Sequence, residues 1–223
     1  MHITFKRQQL LALALGTAGA IALTLPANAQ STMMQSSKPL AAVQASGHVN
    51  IRGVITSLAG KSLVVRTREG GDATVILNDD CLINSVTPAS VKDIKPGDFV
   101  GISNVPKADG VSSALEVVIF PAALKGTGEG DRPWDLRPNS SMTNATVANA
   151  VTSVDGRTVM VTYRGGQKKI DIPETTPIVT LEVAAPKDLR AGTNVFIAAD
   201  HANDGTLTTH RVIYGSNGVV PPM

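Results

Sequence analysis

The sequence predicts an all-β protein made of two tandem, small, five-stranded Greek-key barrels joined by a connector that contains tryptophan. Three observations predict it. The chain repeats itself at an offset of 96 residues, which becomes 95 after one deletion. Within each copy, apolar and polar residues alternate with a period of two, which is typical of half-buried strands. With 223 residues, 43% of them hydrophobic and 17% charged, the chain can build a packed core.

The first 29 residues have the three-part pattern of a secretory signal peptide. Lys6 and Arg7 form a basic start, an apolar run follows from Leu10 to Leu25, and small residues end at Ala29. A membrane anchor is the alternative, but the run is short for a span of about 20 residues. We expect cleavage after Ala29, a periplasmic or secreted protein, and no transmembrane span in the mature chain. Residues 30–47 are predicted to be a flexible leader.

The repeat sets the predicted domain boundaries. Residues Arg52–Lys61 align with Ala148–Arg157, and Lys92-Asp93 aligns with Lys187-Asp188. Identities fall at turns, with apolar residues exchanged for apolar residues between them, as expected of two copies of one fold. The predicted units are a first barrel (48–120), a connector (121–144), a second barrel (145–215) and a tail (216–223).

Each element of a copy follows from a local pattern. In the first copy Leu63 and Val65 alternate with polar residues, and Ala59-Gly60 precedes this strand as a hairpin turn. The stronger turn of the second copy is Asp155-Gly156, because both positions tolerate a positive φ. Glycine pairs at 70–71 and 165–166 mark the next turn.

The second half of each copy contains a third strand, a crossover and two more strands. The third strands are predicted at 73–77 and 169–172, and proline-bearing crossovers at 88–96 and 173–191 have room for about one short helical turn. The last two strands pair around Asp109-Gly110 and Asp204-Gly205. Five strands with a longer connection between the third and fourth are typical of a small barrel of the oligonucleotide/oligosaccharide-binding (OB) type.

Three segments resemble a bacterial family of exported domains of unknown function. They are Gly53–Gly60 (G-x-V-x-S-x-x-G pattern), Ile94–Val100 (L-K-P-G-D-x-V pattern) and Asp204–Val212 (D-G-x-L-x-A-x-x-V pattern). The resemblance covers nearly the whole mature chain, including Gly128–Leu136. It implies the barrel fold and no agreed activity. Similar sequences are sometimes labelled metal-transporter permeases, which the predicted lack of spanning helices in the mature chain contradicts.

The connector is the first candidate for a binding site. A connection of this length is usually functional or disordered, and the chain's single tryptophan, Trp134, favours an ordered connector. One interpretation is that Trp134 fills the seam between the barrels. The other is that Trp134, Arg132 and Asp135 bind a ligand or partner.

A metal site is the second candidate. Glu129, Asp131 and Asp135 alternate with other residues and could offer oxygen ligands to a hard cation, with His201 as a further ligand. A solvated loop is the alternative, because the spacing lacks the fixed acidic positions of a calcium loop. The single cysteine, Cys81, is expected to be buried.

Charge and motifs narrow the function class. Removing Lys6 and Arg7 with the leader leaves equal numbers of basic and acidic residues, which argues against nucleic acid as a partner. No phosphate loop, nucleophile elbow or dinucleotide-binding motif occurs. The sequence therefore predicts a non-enzymatic binding or scaffolding module of the cell envelope, without a cofactor, whose partner is an envelope protein, a glycan or a small molecule.

Two other functions stay open at this point. One is a periplasmic accessory role in divalent-metal handling through the connector acids. The other is a hydrolase with an unrecognised carboxylate site, which requires perturbed carboxylates clustered around Asp131 or Asp200.

Overall fold

The computed structural model describes residues 47–149 and 157–223, and this part of the chain is all-β, as predicted. The predicted signal peptide, the leader up to residue 46 and the Asp155-Gly156 turn lie outside the described residues. The twelve strands are β1 (Gly47–Ala59), β2 (Ser62–Thr67), β3 (Asp72–Pro88), β4 (Phe99–Pro106), β5 (Ser112–Ile119), β6 (Gly130–Pro133), β7 (Ser141–Asn149), β8 (Thr158–Tyr163), β9 (Gly166–Asp171), β10 (Ile178–Ala184), β11 (Asn194–His201) and β12 (Leu207–Gly215). Short 3₁₀ turns at Val91–Asp93 and Pro186–Asp188 lie inside the predicted crossovers.

Five of these strands close into a barrel. They pair in the order β12-β11-β1-β2-β3, and a parallel pairing between β12 and β3 joins the two ends. The barrel interior holds one cluster of apolar side chains, among them Leu63, Val65, Val75 and Ile197, which have no exposed surface. Burial of the alternate residues of each strand supplies the main driving force for this closure.

The remaining strands extend the same sheet. Strands β5, β4, β7, β8 and β9 are neighbours in that order, and a short parallel pairing between β5 and β9 connects Ser112 with Ile170 and Ser113 with Asp171. A second apolar cluster, which includes Val100, Ile102 and Val161, lies among these five strands. The short strand β6 pairs with β7, and β10 lies between β3 and β5.

The strand partners cross between the two sequence copies, which differs from the predicted domain boundaries. Strands β1 and β3 of the first copy pair with β11 and β12 of the second, respectively, and β4 and β5 pair with β7 and β9. The predicted units 48–120 and 145–215 are therefore not two self-contained barrels. Strand β3 joins the two strand sets because it runs for 17 residues: its second half keeps its pairing with β12 of the barrel and also pairs with β10 on its other edge.

A seam of apolar side chains lies where the two strand sets meet. At its centre Val86 of β3 pairs with Leu181 of β10, and these residues are repeat equivalents at the offset of 95. The antiparallel β3–β10 pairing thus relates the copies by an approximate two-fold axis. Phe196 and Met223 belong to the same buried cluster, so the predicted tail is part of the core, and Trp134 packs against it.

The first strands of the copies align differently from the predicted offset of 96. Val65 and Val161 keep that offset, and their partners across the hairpins are Ile55 and Val147, which are only 92 residues apart. A bulge follows both Ile55 and Val147. The two offsets differ by four, so the first hairpin of the second copy is four residues longer than that of the first copy. The sequence alignment did not include this insertion in the hairpin and therefore paired Arg52 with Ala148.

Candidate functional site: a cavity at the seam

A partly open cavity of about 610 Å³ lies at the seam, lined by residues of both strand sets. Its apolar walls include Val118, Phe120, Trp134, Met142, Phe196 and Met223. Its polar and charged residues are His48, Asn50, Arg132, Asp135, Asn144 and Arg211. All three residues predicted to bind a ligand or partner, Trp134, Arg132 and Asp135, are therefore brought together on one cavity.

The backbone around Trp134 is fixed by a tight loop. Its N–H donates to the carbonyl oxygen of Ser140 at 2.9 Å, and the Ser140 hydroxyl donates to the Trp134 carbonyl at 2.9 Å. Asn139 closes the loop with a φ of 61°, a left-handed conformation that asparagine tolerates better than most residues. The connector is thus ordered next to the tryptophan because its polar groups satisfy one another.

The indole of Trp134 contacts both the seam cluster and the cavity. It packs against the seam cluster, with its ring centroid 6.0 Å from that of Phe196, and it also lines the cavity. Its Nε1 atom is buried and has no hydrogen-bond partner within the described part of the chain. A buried indole N–H usually finds an acceptor, so this donor is unsatisfied within the described residues.

Asp135 is neutralised by a fork of hydrogen bonds from Arg52. The Arg52 Nη1 and Nη2 atoms donate to its carboxylate oxygens at 2.9 and 2.6 Å. This bond holds the pKa of Asp135 below its ordinary value. The Arg52 guanidinium also lies 5.3 Å from the centroid of the Phe196 ring and donates to the backbone carbonyl of Met223. The pair therefore ties β1, the connector and the chain end together at the cavity.

Glu116 is a buried acid that the sequence analysis did not single out. Its side chain is 2% exposed, and burial raises its pKa to about 9 although Arg52 and Arg68 favour the charged form. Its Oε1 atom has no hydrogen-bond partner among the described residues. Glu116 is therefore protonated at neutral pH.

Two arginines line the cavity without a carboxylate partner in the described part of the protein. The exposed Arg132 lies 6.0 Å over the Trp134 ring and donates one hydrogen bond to the carbonyl of Gly128 at 2.9 Å. Arg211 of β12 is half-buried, and its guanidinium has neither an ion pair nor a hydrogen bond there. Burial lowers the pKa of both groups, but a guanidinium stays charged at physiological pH.

The predicted metal ligands do not come together. Glu129 accepts a hydrogen bond from the backbone of Arg164 at 3.0 Å, Asp135 is held by Arg52, and His201 lies at the end of β11. Among residues 47–149 and 157–223 no group of three His, Cys, Asp or Glu side chains could hold a metal ion.

Asp131, the fourth predicted ligand, belongs to a polar network. It accepts hydrogen bonds from Lys168 Nζ at 2.7 Å and from the Thr143 hydroxyl at 2.6 Å, and Lys168 also donates to Ser141 at 3.1 Å. These bonds hold its pKa below the ordinary value against the opposing effect of burial. They attach β6 to β7 and β9, so Asp131 has a structural role.

The other singled-out residues lie elsewhere. Asp200 pairs with His48 at 2.7 Å, so the two carboxylates considered for a hydrolase, Asp131 and Asp200, have separate partners. Cys81 is partly rather than fully buried, and burial raises the pKa of its thiol. A thiol that is harder to ionise is a poorer nucleophile.

No family model, curated protein or solved structure matches the chain. The resemblance to exported domains of unknown function thus stays a prediction. Within the described residues, no helix has the length and apolar character needed to cross a membrane.

Proposed function

We propose that the protein is a non-catalytic binding module, exported to the periplasm or secreted, that holds a small molecule in the seam cavity. The cavity carries this proposal. Its volume of about 610 Å³ falls within the range of roughly 300–1,000 Å³ common to small-molecule sites, and its lining is mainly apolar with a few polar groups. Among the expected partner classes, this geometry favours a small molecule over a glycan or an envelope protein.

Both strand sets are, in this proposal, OB-like barrels that have exchanged their last two strands. In each set the first strand pairs with the second and the fourth, and the third pairs in parallel with the fifth. Such an exchange joins the halves through β3 and β10 and covers a face that would be exposed in a separate barrel. The seam thereby supplies concave apolar surface that a single small barrel lacks.

A binding role also fits the state of the charged groups. The carboxylate of Asp135 is held by Arg52, and that of Asp131 by Lys168. Paired groups of this kind serve as fixed walls for a ligand more readily than as acids or bases, which need to exchange protons with a substrate.

The single tryptophan provides a direct test. Because Trp134 is the only tryptophan in the sequence and lines the cavity, its fluorescence reports ligand binding there. A thermal-shift screen of small metabolites should find compounds that raise the melting temperature and also change the emission of Trp134. Compounds that stabilise the protein but leave its emission unchanged would place the binding site elsewhere.

A blocking variant localises the site. Ala198 is exposed and lines the cavity, so Ala198→Phe should narrow it and abolish binding. Ala202→Phe introduces the same ring at an exposed position in the β11–β12 turn and should bind as the wild type does. Equal binding by both variants would contradict the proposed site.

A further inference from the structure

We propose that the cavity selects soluble organic anions: molecules with an apolar body and one carboxylate, sulfonate or phosphate group, which Arg211 binds with Arg132 as a second cation. This inference rests on the proposed function, because it names the chemical class of ligand for the same cavity. Four features of the seam support it: the unpaired arginine, its environment in the repeat, the neutralised acids and the aromatic walls.

Arg211 is the primary anion-binding residue. Arg211 is a half-buried residue of the cavity lining, and its guanidinium has no ion pair or hydrogen bond with a described residue. Partial burial of a charge is unfavourable unless a partner of opposite charge or several acceptors compensate it. An anionic group in the cavity would supply that compensation, and guanidinium geometry favours two parallel hydrogen bonds to a carboxylate or phosphate.

The repeat places different groups around Arg211 and around its equivalent in the first copy. At the offset of 95 its equivalent in the first copy is Glu116, which lies near Arg52. The offset of 92 in the first strands makes Asn144 the equivalent of Arg52. One half therefore has the neutral Glu116 near Arg52, whereas the other half has the cation Arg211 and the amide of Asn144 on the cavity lining.

The acidic side chains at the cavity have partners other than Arg211 and Arg132. Asp135 is the carboxylate on the lining, and Arg52 already neutralises it. Asp200 is engaged by His48 at 2.7 Å. Arg211 and Arg132 are thus the cationic side chains on the lining that have no carboxylate partner among the described residues, and low-dielectric walls strengthen the field of such charges.

The apolar part of the ligand is defined by the opposite walls. The Trp134 and Phe196 rings are 6.0 Å apart at a tilt of 43°, and Phe120 and Met142 complete the surface. Flat aromatic rings and thioethers adapt to a rigid apolar or aromatic body. A small anion without an apolar body would leave these walls uncovered. An uncharged ligand with such a body would leave Arg211 unpaired.

A pair of fluorescent probes separates the charge from the apolar body. We would titrate the protein with 8-anilinonaphthalene-1-sulfonate and with N-phenyl-1-naphthylamine, which has the same rings without the sulfonate. Energy transfer from Trp134 reports bound probe, and loss of that signal in Ala198→Phe assigns the probe to the cavity. We expect the anionic probe to bind about tenfold more tightly than the neutral one, as one charge-assisted hydrogen-bonded pair allows.

Variants assign that preference to Arg211. Arg211→Met keeps much of the apolar side chain and should remove the preference, whereas Arg164→Met, which removes an exposed arginine outside the cavity, should leave it unchanged. Arg132→Met should reduce the preference to a smaller extent. If Arg211→Met does not fold, wild-type titrations in 50 and 500 mM NaCl replace it, because screening weakens only charge-dependent binding.

The outcomes distinguish the two proposals. Equal affinities for both probes, or a preference that Arg211→Met and added salt leave unchanged, would overturn the anion inference while the cavity stays a binding site. Failure of both probes to transfer energy from Trp134 would count against the cavity itself and so against both proposals.

Discussion

The replacement Glu116→Gln should stabilise the protein at mildly alkaline pH. Glu116 is 2% exposed and its Oε1 atom has no hydrogen-bond partner among the described residues. Glutamine has the shape of the protonated acid but cannot ionise. The substitution therefore keeps the packing of β5 and removes the free-energy cost of holding an acid in its neutral form.

The size of the effect follows from the two pKa values. The pKa of Glu116 is about 9 in the folded protein, against an ordinary value of 4.5. Between these values the unfolded chain releases a proton that the folded protein retains, so the free energy of unfolding falls as the pH rises. The slope is about 1.4 kcal/mol per pH unit for one group, or about 3 kcal/mol between pH 6 and pH 8. Stability from this group is complete below pH 4.5 and is lost as the pH approaches 9.

Urea denaturation followed by Trp134 fluorescence measures this slope. Wild type and Glu116→Gln should have similar unfolding free energies near pH 5 and diverge by about 3 kcal/mol between pH 6 and 8, with the variant more stable. The exposed Glu174→Gln makes the same chemical change without burial and should follow the wild-type curve. Parallel pH profiles for wild type and Glu116→Gln would refute the reasoning, because histidines and other groups titrate equally in both proteins.

Three further substitutions test contacts that the connector makes with the strands. Trp134→Ala should destabilise the protein by about 3 kcal/mol, measured by circular dichroism in urea, since it removes a ring from the seam; an unchanged midpoint would contradict that packing role. Lys168→Met should cost about 2 kcal/mol and the exposed Lys169→Met almost nothing; equal effects would show that the polar network contributes no stability. Asp135→Asn should lower the free energy of unfolding by about 1 kcal/mol at pH 7. This difference between variant and wild type should decrease as the pH falls from 3.8 through the lowered pKa of folded Asp135, because the protonated carboxyl loses its ion pair with Arg52. A difference that persists in acid would exclude this ion pair as its source.

Local patterns in the sequence predicted most of the individual strands. The alternation around Leu63 and Val65 places both side chains in the barrel interior, and the crossover prolines mark the 3₁₀ turns at 91–93 and 186–188. These features depend on residues near each other in the chain, so periodicity and turn chemistry are sufficient. The extra strand β10 was missed because the prolines and small residues of the second crossover indicate an irregular connection.

The exchange of strands could not be read from the same patterns. Two copies of one fold contain the same strands with the same alternation, so the fourth strand of either copy fits the first strand of either copy. Which pairing forms depends on the direction of the chain in the second half of β3, where residues 83–88 pair with β10 instead of turning back. That choice is made by long-range contacts such as Val86 with Leu181, which no local window contains.

The candidate site was predicted only in part for a related reason. The connector's composition pointed to Trp134, but no pattern singled out Glu116 or Arg211. Both lie on the face of their strands opposite the barrel interiors, where charged residues are expected to meet water. The exchange covers that face with the other strand set. A signal was present in the run Ala114–Ile119, in which Glu116 is the only charged residue among apolar neighbours.

The two copies differ in sequence at the seam, which makes the cavity asymmetric. Phe120 crosses over Gly101 in one half, where an added β-carbon would lie 3.0 Å from the Phe120 ring and 2.9 Å from the Asn144 Oδ1 atom. In the other half the equivalent positions are reversed, with Phe196 replacing the glycine and Gly215 replacing the phenylalanine. A symmetric duplication would place the same groups at equivalent positions of both halves, whereas here the first copy contributes a neutral Glu116 and the second an unpaired Arg211. If the anion inference holds, a ligand with a single charged group must therefore bind in one orientation, with its charge at Arg211.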